Sequence, residues 1–376
     1  MPVVFDSEKR VFKLDTPSSS YAMKISPTGY LLHLYYGAYV PDTDLDYLRM
    51  RQRNAAFSAC VASAEEGGLS LDTAQLEYPV NGSGDFRSVA LSVRGANGSS
   101  VTDIRYRSHR IYPGKPKLEG LPATYTNDDS EAETLEIVCV DELTGAEITL
   151  IYAAFSKLDV ITRSVRIANT SDKPFSIERV HSAAVDFTEM DFDMLHLQGR
   201  WAKERTLVTR HLEFGLQGIH SRRGSSSHNN NPFIALARDG YTEESGEVFG
   251  FSFVYSGNFA AEVEVDCMRS TRVLMGIDPV DFAWKLEPGE SFQAPEVVMV
   301  YSDHGVGGMS RTYHKLYRFN LCRGEWKTKK RPIIVNNWEA TYFDFNEDRL
   351  VDIARTARNA GIELFVLDDG WFANKY

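Results

Sequence analysis

Two short runs near the end of the chain decide its fold: RPIIVNNWE at residues 331–339 and LFVLDDGWF at residues 364–372. Each begins with β-branched and other apolar residues, which is typical of a strand buried on both faces of a parallel sheet. Each then changes abruptly to polar and aromatic residues at its carboxyl end. In (β/α)8 barrel enzymes the active site lies at the carboxyl ends of the strands. The two runs therefore predict neighbouring barrel strands that carry a site.

The segment between these runs has the pattern of one helix. Asn346 is placed to cap it, and Glu347 and Asp348 put negative charge at the positive end of the helix dipole. Gly361 suits the left-handed conformation that ends a helix. Four apolar residues fall at the spacing of one helical face: Leu350, Ile353, Ala354 and Ala357. Strand, helix and strand together predict a right-handed crossover between parallel strands.

Residues 3–325 show a different pattern, in which short alternating runs are separated by Gly, Pro, Asn and Asp. The clearest runs are residues 135–140, 147–152, 160–167, 262–265 and 296–301. Thr144-Gly145 and Pro288-Gly289 suit hairpin turns, because glycine accepts a positive φ. Many short strands at this spacing predict a β-sandwich. We expect Trp201 and Trp284, inside its strands, to lie in the core.

A change of period after the last run marks the end of the predicted sandwich. Residues at helical spacing follow it: Met309, Tyr313, Leu316, Tyr317 and Asn320. They predict a linker helix near residues 307–322. We place the domain boundary between residues 328 and 329, in the basic segment before Pro332. The chain is thus predicted to be mainly β, with a sandwich domain at residues 1–328. Residues 329–376 would form the first βαβ unit of a (β/α)8 TIM barrel, truncated at Tyr376 because a barrel needs about 250 residues.

The composition excludes several classes of protein. With 43% hydrophobic and 25% charged residues, the chain is typical of globular proteins. Its formal charge of −11, with no basic stripe, argues against nucleic acid as a partner. We also expect no membrane segment, no signal peptide and a cytoplasmic location. Cys60, Cys139, Cys267 and Cys322 have no CxxC spacing, which argues against a thiolate metal site or a disulfide framework.

Six segments occur in one order along the chain: residues 71–79, 84–87, 114–122, 223–228, 231–233 and 337–371. In that order they resemble the α-galactosidases of glycoside hydrolase family 36. The resemblance covers nearly the whole chain, and the two barrel motifs make it specific. It implies an N-terminal β-supersandwich, a central catalytic barrel and a C-terminal β-domain. This chain has the first of these and the opening of the second.

The resemblance also implies an activity. Members of this family hydrolyse terminal non-reducing α-D-galactosides of the melibiose or raffinose type with retention, without a cofactor, and bacterial members are commonly tetramers through the N-terminal domain. The family's nucleophile is the Asp of a Lys-Trp-Asp-x-Asn run on a later barrel strand, and a second Asp further on is the general acid/base. No such run occurs between Met1 and Tyr376. We therefore assign no catalytic residue and no metal ligand in this chain, and expect it to be inactive alone.

Asp368 and Asp369 are the first candidate substrate-binding residues. Adjacent side chains on a strand point to opposite faces, whereas the nucleophile and acid of a retaining glycosidase lie about 5 Å apart on either side of one sugar. The pair therefore suits hydrogen bonds to sugar hydroxyls better than acid and nucleophile work. The resemblance implies that it holds the distal hydroxyls of galactose. The alternative is an ordinary turn before Gly370.

Three aromatic residues complete the candidate site. Trp338 is predicted to end the first strand. It could stack on a pyranose ring or pack under a loop, and the resemblance implies a place in the sugar site. Trp371 and Phe372 either form the pocket rim or pack the second βα loop, and the choice is left open. Three positions depart from the family pattern. Asn54 and Gly67 replace an Asp and an Arg that reach a neighbouring subunit's site, and Ala373 replaces a Gly.

Two functions of different class remain open. One is an α-galactosidase of which only part is given. The other is a non-catalytic sandwich that binds carbohydrate or mediates assembly, with the barrel segment incidental. A close enzymatic alternative is another glycosidase or a galactosyl transferase of the same clan. The sequence downstream of Tyr376 discriminates between them.

Overall fold

Twenty strands form from residues 3–302 in the computed structural model, which describes residues 2–49 and 68–372. They are β1 (Val3–Asp6), β2 (Val11–Asp15), β3 (Ser19–Ile25), β4 (Leu31–Ala38), β5 (Leu91–Arg94), β6 (Ile104–Pro113), β7 (Ala132–Asp141), β8 (Ala146–Phe155), β9 (Val160–Asn169), β10 (Phe175–Phe187), β11 (Phe192–Arg200), β12 (Lys203–His211), β13 (Gly215–Ser221), β14 (Asn230–Arg238), β15 (Val248–Val254), β16 (Phe259–Val265), β17 (Thr271–Ile277), β18 (Trp284–Leu286), β19 (Ser291–Gln293) and β20 (Glu296–Ser302). All five runs singled out by their alternation lie within strands.

These strands are arranged in three antiparallel sheets. The smallest has the order β1-β2-β3-β4. A six-stranded sheet has the order β13-β16-β17-β10-β18, with β5 also paired to β10. A ten-stranded sheet has the order β12-β11-β14-β15-β20-β9-β8-β7-β6, with β19 also paired to β9. All three contribute side chains to one apolar core, for example Phe12, Leu150 and Val273. Sheets packed over a shared core form a sandwich, so the mainly β fold is confirmed.

One of the two predicted hairpin turns is wrong. Gly145 has φ +70° and joins β7 to β8, which pair along their whole length. Gly289 also has a positive φ, of +83°, but β18 pairs with β10 and β19 pairs with β9. Pro288-Gly289 therefore connects two sheets. Strands of only three residues are stabilised more by joining an existing sheet than by pairing with each other, because an isolated two-stranded hairpin is marginally stable.

Charged and hydroxyl side chains from two sheets, and a backbone carbonyl from the third, meet in the core around Glu77. Arg163 Nη2 lies 3.0 Å from Glu77 Oε1. The hydroxyls of Tyr21 and Tyr152 donate to the same oxygen at 2.7 and 2.6 Å. Arg163 also donates to the Ala184 carbonyl in β10. Buried charges are tolerated only when they are paired and hydrogen-bonded, so this network holds the three sheets in register.

A second buried network contains the charged residues of the segment 84–87. Arg272 donates to both oxygens of Asp186 at 2.8 Å, and to Asp85 Oδ2 at 2.8 Å. Arg87 donates to Asp85 Oδ1, also at 2.8 Å. Phe86, between the two charged residues, is instead 83% exposed. The charges of this segment are therefore structural.

The two tryptophans predicted to lie in the core are exposed, and that prediction is wrong. Trp201 is 80% exposed at the turn between β11 and β12. Trp284 is half-exposed at the start of β18, with its ring 5.3 Å from that of Phe292. Both lie in or beside strands, but at positions where the strand has reached the edge of the sandwich.

Helix α1 (Gly305–Leu316) follows the last strand, and a π-helical turn (Tyr317–Leu321) extends it. Met309, Tyr313 and Leu316 are buried, and the Tyr313 hydroxyl donates to the Val298 carbonyl at 3.0 Å. The chain divides into two compact units, residues 1–321 and 322–376. The domain boundary at 328/329 stays a prediction. No helix in the described ranges is long and apolar enough to span a membrane.

The second unit contains β21 (Ile334–Asn336), α2 (Trp338–Thr341), α3 (Glu347–Asn359) and β22 (Leu364–Val366). β21 and β22 pair in parallel, as the sequence predicts. The Asn346 side chain caps α3 by accepting from the Arg349 N–H at 3.0 Å, and Gly361 has φ +84°. The half-buried residues of α3 are the four on the predicted face: Leu350, Ile353, Ala354 and Ala357.

Candidate functional site

The carboxyl ends of β21 and β22 are joined by the side chain of Asn336. Asn336 and Val366 are partners in the parallel ladder, which places Asp368 just beyond the pair. Asn336 Nδ2 donates to Asp368 Oδ2 at 2.6 Å. Its Oδ1 accepts from the Trp338 N–H at 2.7 Å. One amide therefore positions two of the three predicted binding residues.

The buried side chain of Asn337 also connects the carboxyl ends of β21 and β22. It is fully buried, and its Oδ1 accepts from the Asp368 N–H at 2.8 Å. Its Nδ2 donates to Thr341 Oγ1 at 2.8 Å. Sequence reasoning missed both asparagines. The available signal was the Asn-Asn pair itself, because asparagine is depleted in strands and its amide can bond two neighbours at once.

Asp368 is ionised at neutral pH. The Asn336 amide and then the Asp369 N–H, which donates to Asp368 Oδ1 at 2.8 Å, lower the pKa of this carboxyl group because they bond its charged form. Asp369 is exposed beside it. An ionised carboxylate only accepts hydrogen bonds. The pair is therefore suited to accept hydrogen bonds from hydroxyl groups.

Removal of the Asn336 amide should raise the pKa of Asp368. In Asn336→Ala the carboxylate loses the hydrogen-bond donor that lowers its pKa most. A side-chain carboxyl NMR titration of the 376-residue chain measures the shift. Asn359→Ala, at the far end of α3, is the matched control and should leave the titration unchanged. An unchanged pKa in Asn336→Ala contradicts the proposed anchoring.

Trp338 lies in the first turn of α2, two residues after β21 ends, so the prediction that it ends the strand is wrong. The strand stops at Asn336, whose side chain accepts from the Trp338 N–H and turns the backbone into a helix. The half-buried indole meets the rings of Tyr342 and Phe343 edge to face, with centroids 5.3 and 4.9 Å away. These neighbours fix the ring at the carboxyl end of β21.

Trp371 and Phe372 lie on the loop after β22 and pack against each other edge to face. Trp371 is 71% exposed, and Phe372 is half-exposed. The loop turns at Gly370, which has φ +94°, and a Cβ there would lie 3.0 Å from the Phe345 ring. The loop therefore approaches the chain too closely for a side chain at Gly370. A pocket rim formed by Trp371 and Phe372 stays a prediction.

Three departures from the family pattern, Asn54, Gly67 and Ala373, lie outside the described residues. Within the described part of the chain, no group of three or more His, Cys, Asp and Glu side chains could hold a metal ion. The site at the ends of β21 and β22 thus offers two acceptor carboxylates and an indole. This arrangement can recognise hydroxyl groups and an apolar ring face.

Comparisons with known proteins match both parts of the chain. Residues 29–287 match the glycosyl hydrolase family 36 N-terminal domain. Residues 291–376 match the melibiase domain. The second match contains β21, β22 and the candidate site between them.

Relatives align with the whole chain. It is 52% identical to α-galactosidase AgaA of Geobacillus stearothermophilus over 100% of its own length and 51% of that protein. It is 40% identical to the bifunctional α-galactosidase/sucrose kinase AgaSK of Mediterraneibacter gnavus, again over 100% of this chain and 40% of the relative. The crystal structure of family 36 α-galactosidase AgaB from G. stearothermophilus superposes with a TM-score of 0.94 and 53% identity, over 99% of this chain and 50% of AgaB. The chain spans about half the length of these relatives, or less.

Proposed function

Because the chain belongs to glycoside hydrolase family 36, we propose that it is the N-terminal part of an α-galactosidase that hydrolyses terminal non-reducing α-D-galactosides with retention. Relatives at 52% and 40% identity are named α-galactosidases. The observation that carries the proposal is the site at the strand ends, where Asn336 and Asn337 anchor Asp368 next to Asp369.

In the proposed enzyme, Asp368 and Asp369 bind the hydroxyls of the terminal galactose. Charge-assisted hydrogen bonds from hydroxyls to carboxylates are short and about twice as strong as neutral ones. Trp338 packs its indole against the apolar face of the same sugar ring. Edge-to-face contacts with Tyr342 and Phe343 fix the orientation of the indole. These contacts orient the sugar and leave bond cleavage to residues outside this chain.

The substrates that we propose are galactosyl oligosaccharides of the melibiose or raffinose type. Structures of AgaA variants from G. stearothermophilus were solved with raffinose and with stachyose. Homo-oligomer formation through the N-terminal unit is part of the proposal. The domain boundary between residues 328 and 329 and the cytoplasmic location stay predictions, which limited proteolysis and cell fractionation test.

The 376-residue chain alone should not hydrolyse a nitrophenyl α-galactoside. It contains no Lys-Trp-Asp-x-Asn run, and without nucleophile and acid no glycosyl-enzyme intermediate forms. The assay compares the purified chain with an empty-vector preparation and with the polypeptide continued in frame past Tyr376. Turnover by the short chain above the empty-vector level contradicts this assignment.

The continued polypeptide tests the proposed function itself. We expect its reading frame to encode Lys-Trp-Asp-x-Asn, and we expect the protein to release galactose from raffinose but not from lactose, a β-galactoside. Proton NMR of the first product formed should show the α-anomer, as retention requires. An authentic stop codon directly after Tyr376 would favour the non-catalytic sandwich that binds carbohydrate or mediates assembly. Release of N-acetylgalactosamine or transfer of galactose in place of hydrolysis would favour the neighbouring activities of the clan.

A further inference from the structure

We infer that β12 is a self-association surface, on which two copies of this chain pair their β12 strands antiparallel around a two-fold axis. The inference rests on the proposed homo-oligomer and identifies the contact that forms it. β12 is the terminal strand of the ten-stranded sheet, and it pairs with β11 on one side only among the described residues. Its other edge presents backbone N–H and C=O groups. Such an edge is a template for another strand.

Both faces of β12 are also open. Eight of its nine residues are exposed, and Val208 is half-buried. Leu207 at its centre is 57% exposed, and Trp201 lies exposed at the preceding turn. A strand normally buries at least one face against the core. β12 instead extends beyond the core with apolar side chains in solvent, which is typical of an interface.

The sequence of β12 is complementary to itself in one register. When the axis passes through Leu207, that residue faces Leu207 of the second copy. Glu204 then faces Arg210 of the second copy, and Arg210 faces the second copy's Glu204, so two opposite-charge pairs form. Opposite charges across antiparallel strands stabilise a sheet. Arg205 faces Thr209, and Lys203 faces His211, whose Nδ1 lies 3.0 Å from the Asp193 carboxylate in β11.

Neighbouring registers lack this complementarity. Moving one strand by a single residue in either direction places Arg210 opposite Arg205 or opposite Lys203. Like charges in directly opposed positions destabilise a sheet. A shift by one residue also moves every side chain to the opposite face. The charge pattern therefore specifies the register centred on Leu207.

The self-complementary charge pattern of β12 favours a second copy of this chain as the partner. The hairpin segment 200–211 carries four basic residues and one acidic residue: Arg200, Lys203, Arg205, Arg210 and Glu204. In a two-fold contact each copy presents this same segment, so the specific attraction comes from the two Glu204–Arg210 pairs and not from the net charge of the chain. The competing explanation is that these charges protect an exposed edge against pairing. The two explanations predict opposite effects of charge substitution.

Charge reversal and charge exchange test the inference by sedimentation velocity over a range of micromolar concentrations. The proteins are the 376-residue chain and its Glu204→Arg, Arg210→Glu and doubly substituted variants. Each single variant opposes like charges in both pairs, so association should weaken by about tenfold or more. The double variant restores both pairs and should associate nearly as well as the unsubstituted chain. An equimolar mixture of the two single variants should associate more strongly than either one alone.

Controls separate the inference from the proposed oligomer. Glu119→Arg makes the same charge change at an exposed loop position and should leave association unchanged. Circular dichroism verifies the fold of each variant. An unsubstituted chain that stays monomeric overturns both the proposed self-association and this inference. Association that is equal in all variants overturns only the assignment to β12. Stronger association after Lys203, Arg205 and Arg210 are all replaced by Thr shows that the charges protect the edge, and also overturns it.

Discussion

In the polypeptide continued past Tyr376, we expect Asp368→Ala and Asp369→Ala each to lower kcat/KM for raffinose by about 100-fold or more. Hydrogen bonds from hydroxyls to an ionised carboxylate strengthen as positive charge develops on the sugar, so their loss acts mainly on the transition state. Asp368 is held ionised by Asn336 and by the Asp369 N–H. Initial rates over a range of raffinose concentrations separate kcat from KM.

A matched control is Asp352→Ala, which removes an exposed carboxylate from α3 that pairs with Arg355. We expect its kcat/KM to equal that of the unsubstituted protein. Thermal unfolding of the three variants checks that the site substitutions leave the fold intact. Unchanged kcat/KM in both Asp368→Ala and Asp369→Ala would show that the pair is an ordinary turn.

Arg163→Met should destabilise the first unit by about 3–5 kcal/mol, because it leaves the Glu77 carboxylate buried without its cation. Both side chains are at most 1% exposed, and the pair is joined to β3, β8 and β10. Urea unfolding at neutral pH, followed by far-ultraviolet circular dichroism, measures the loss. Arg107→Met removes a similar side chain from an exposed pair with Glu142 and should cost less than about 1 kcal/mol.

The double variant Glu77→Gln, Arg163→Met separates two causes of the lost stability. One is the unpaired buried charge of Glu77, and the other is the changed shape of the side chain at residue 163. Replacing both members removes the unpaired buried charge, so stability should recover in part relative to Arg163→Met. Equal stability of Arg107→Met and Arg163→Met would contradict a structural role for the network.

The pH dependence follows from the same pair. Burial raises the pKa of Glu77, but the Arg163 charge and the His33 side chain lower it more, so that the folded pKa lies below the ordinary value of 4.5. The unfolded chain therefore binds the proton more tightly than the folded chain. The contribution to stability is complete above about pH 4.5. It decreases as the pH falls toward the folded pKa.

Local patterns were sufficient to predict β21, α3 and β22 of the second unit, but not the short helix α2. The cap at Asn346, the apolar face of α3 and the positive φ at Gly361 are each determined within a few residues, and all three are found. The alternation of the upstream runs likewise predicted strands and a mainly β fold. The same local reading placed Asp368 and Asp369 at the carboxyl end of a parallel strand.

Contacts distant in sequence could not be predicted in this way. Glu77 and Arg163 are 86 residues apart, and no periodicity marks either one as buried. Trp201 was assigned to the core because it was predicted to lie inside a strand, but it lies at the exposed turn between β11 and β12. The asparagines that position Asp368 were missed because each bonds across a pair of strands 31 or 32 residues apart.

The most direct test of the proposed function is a crystal structure of the continued polypeptide with galactose bound. We predict galactose at the carboxyl ends of β21 and β22, with its hydroxyls at hydrogen-bond distance from the Asp368 and Asp369 carboxylates and its apolar face against Trp338. Galactose bound in the barrel without contact to either aspartate would contradict the account.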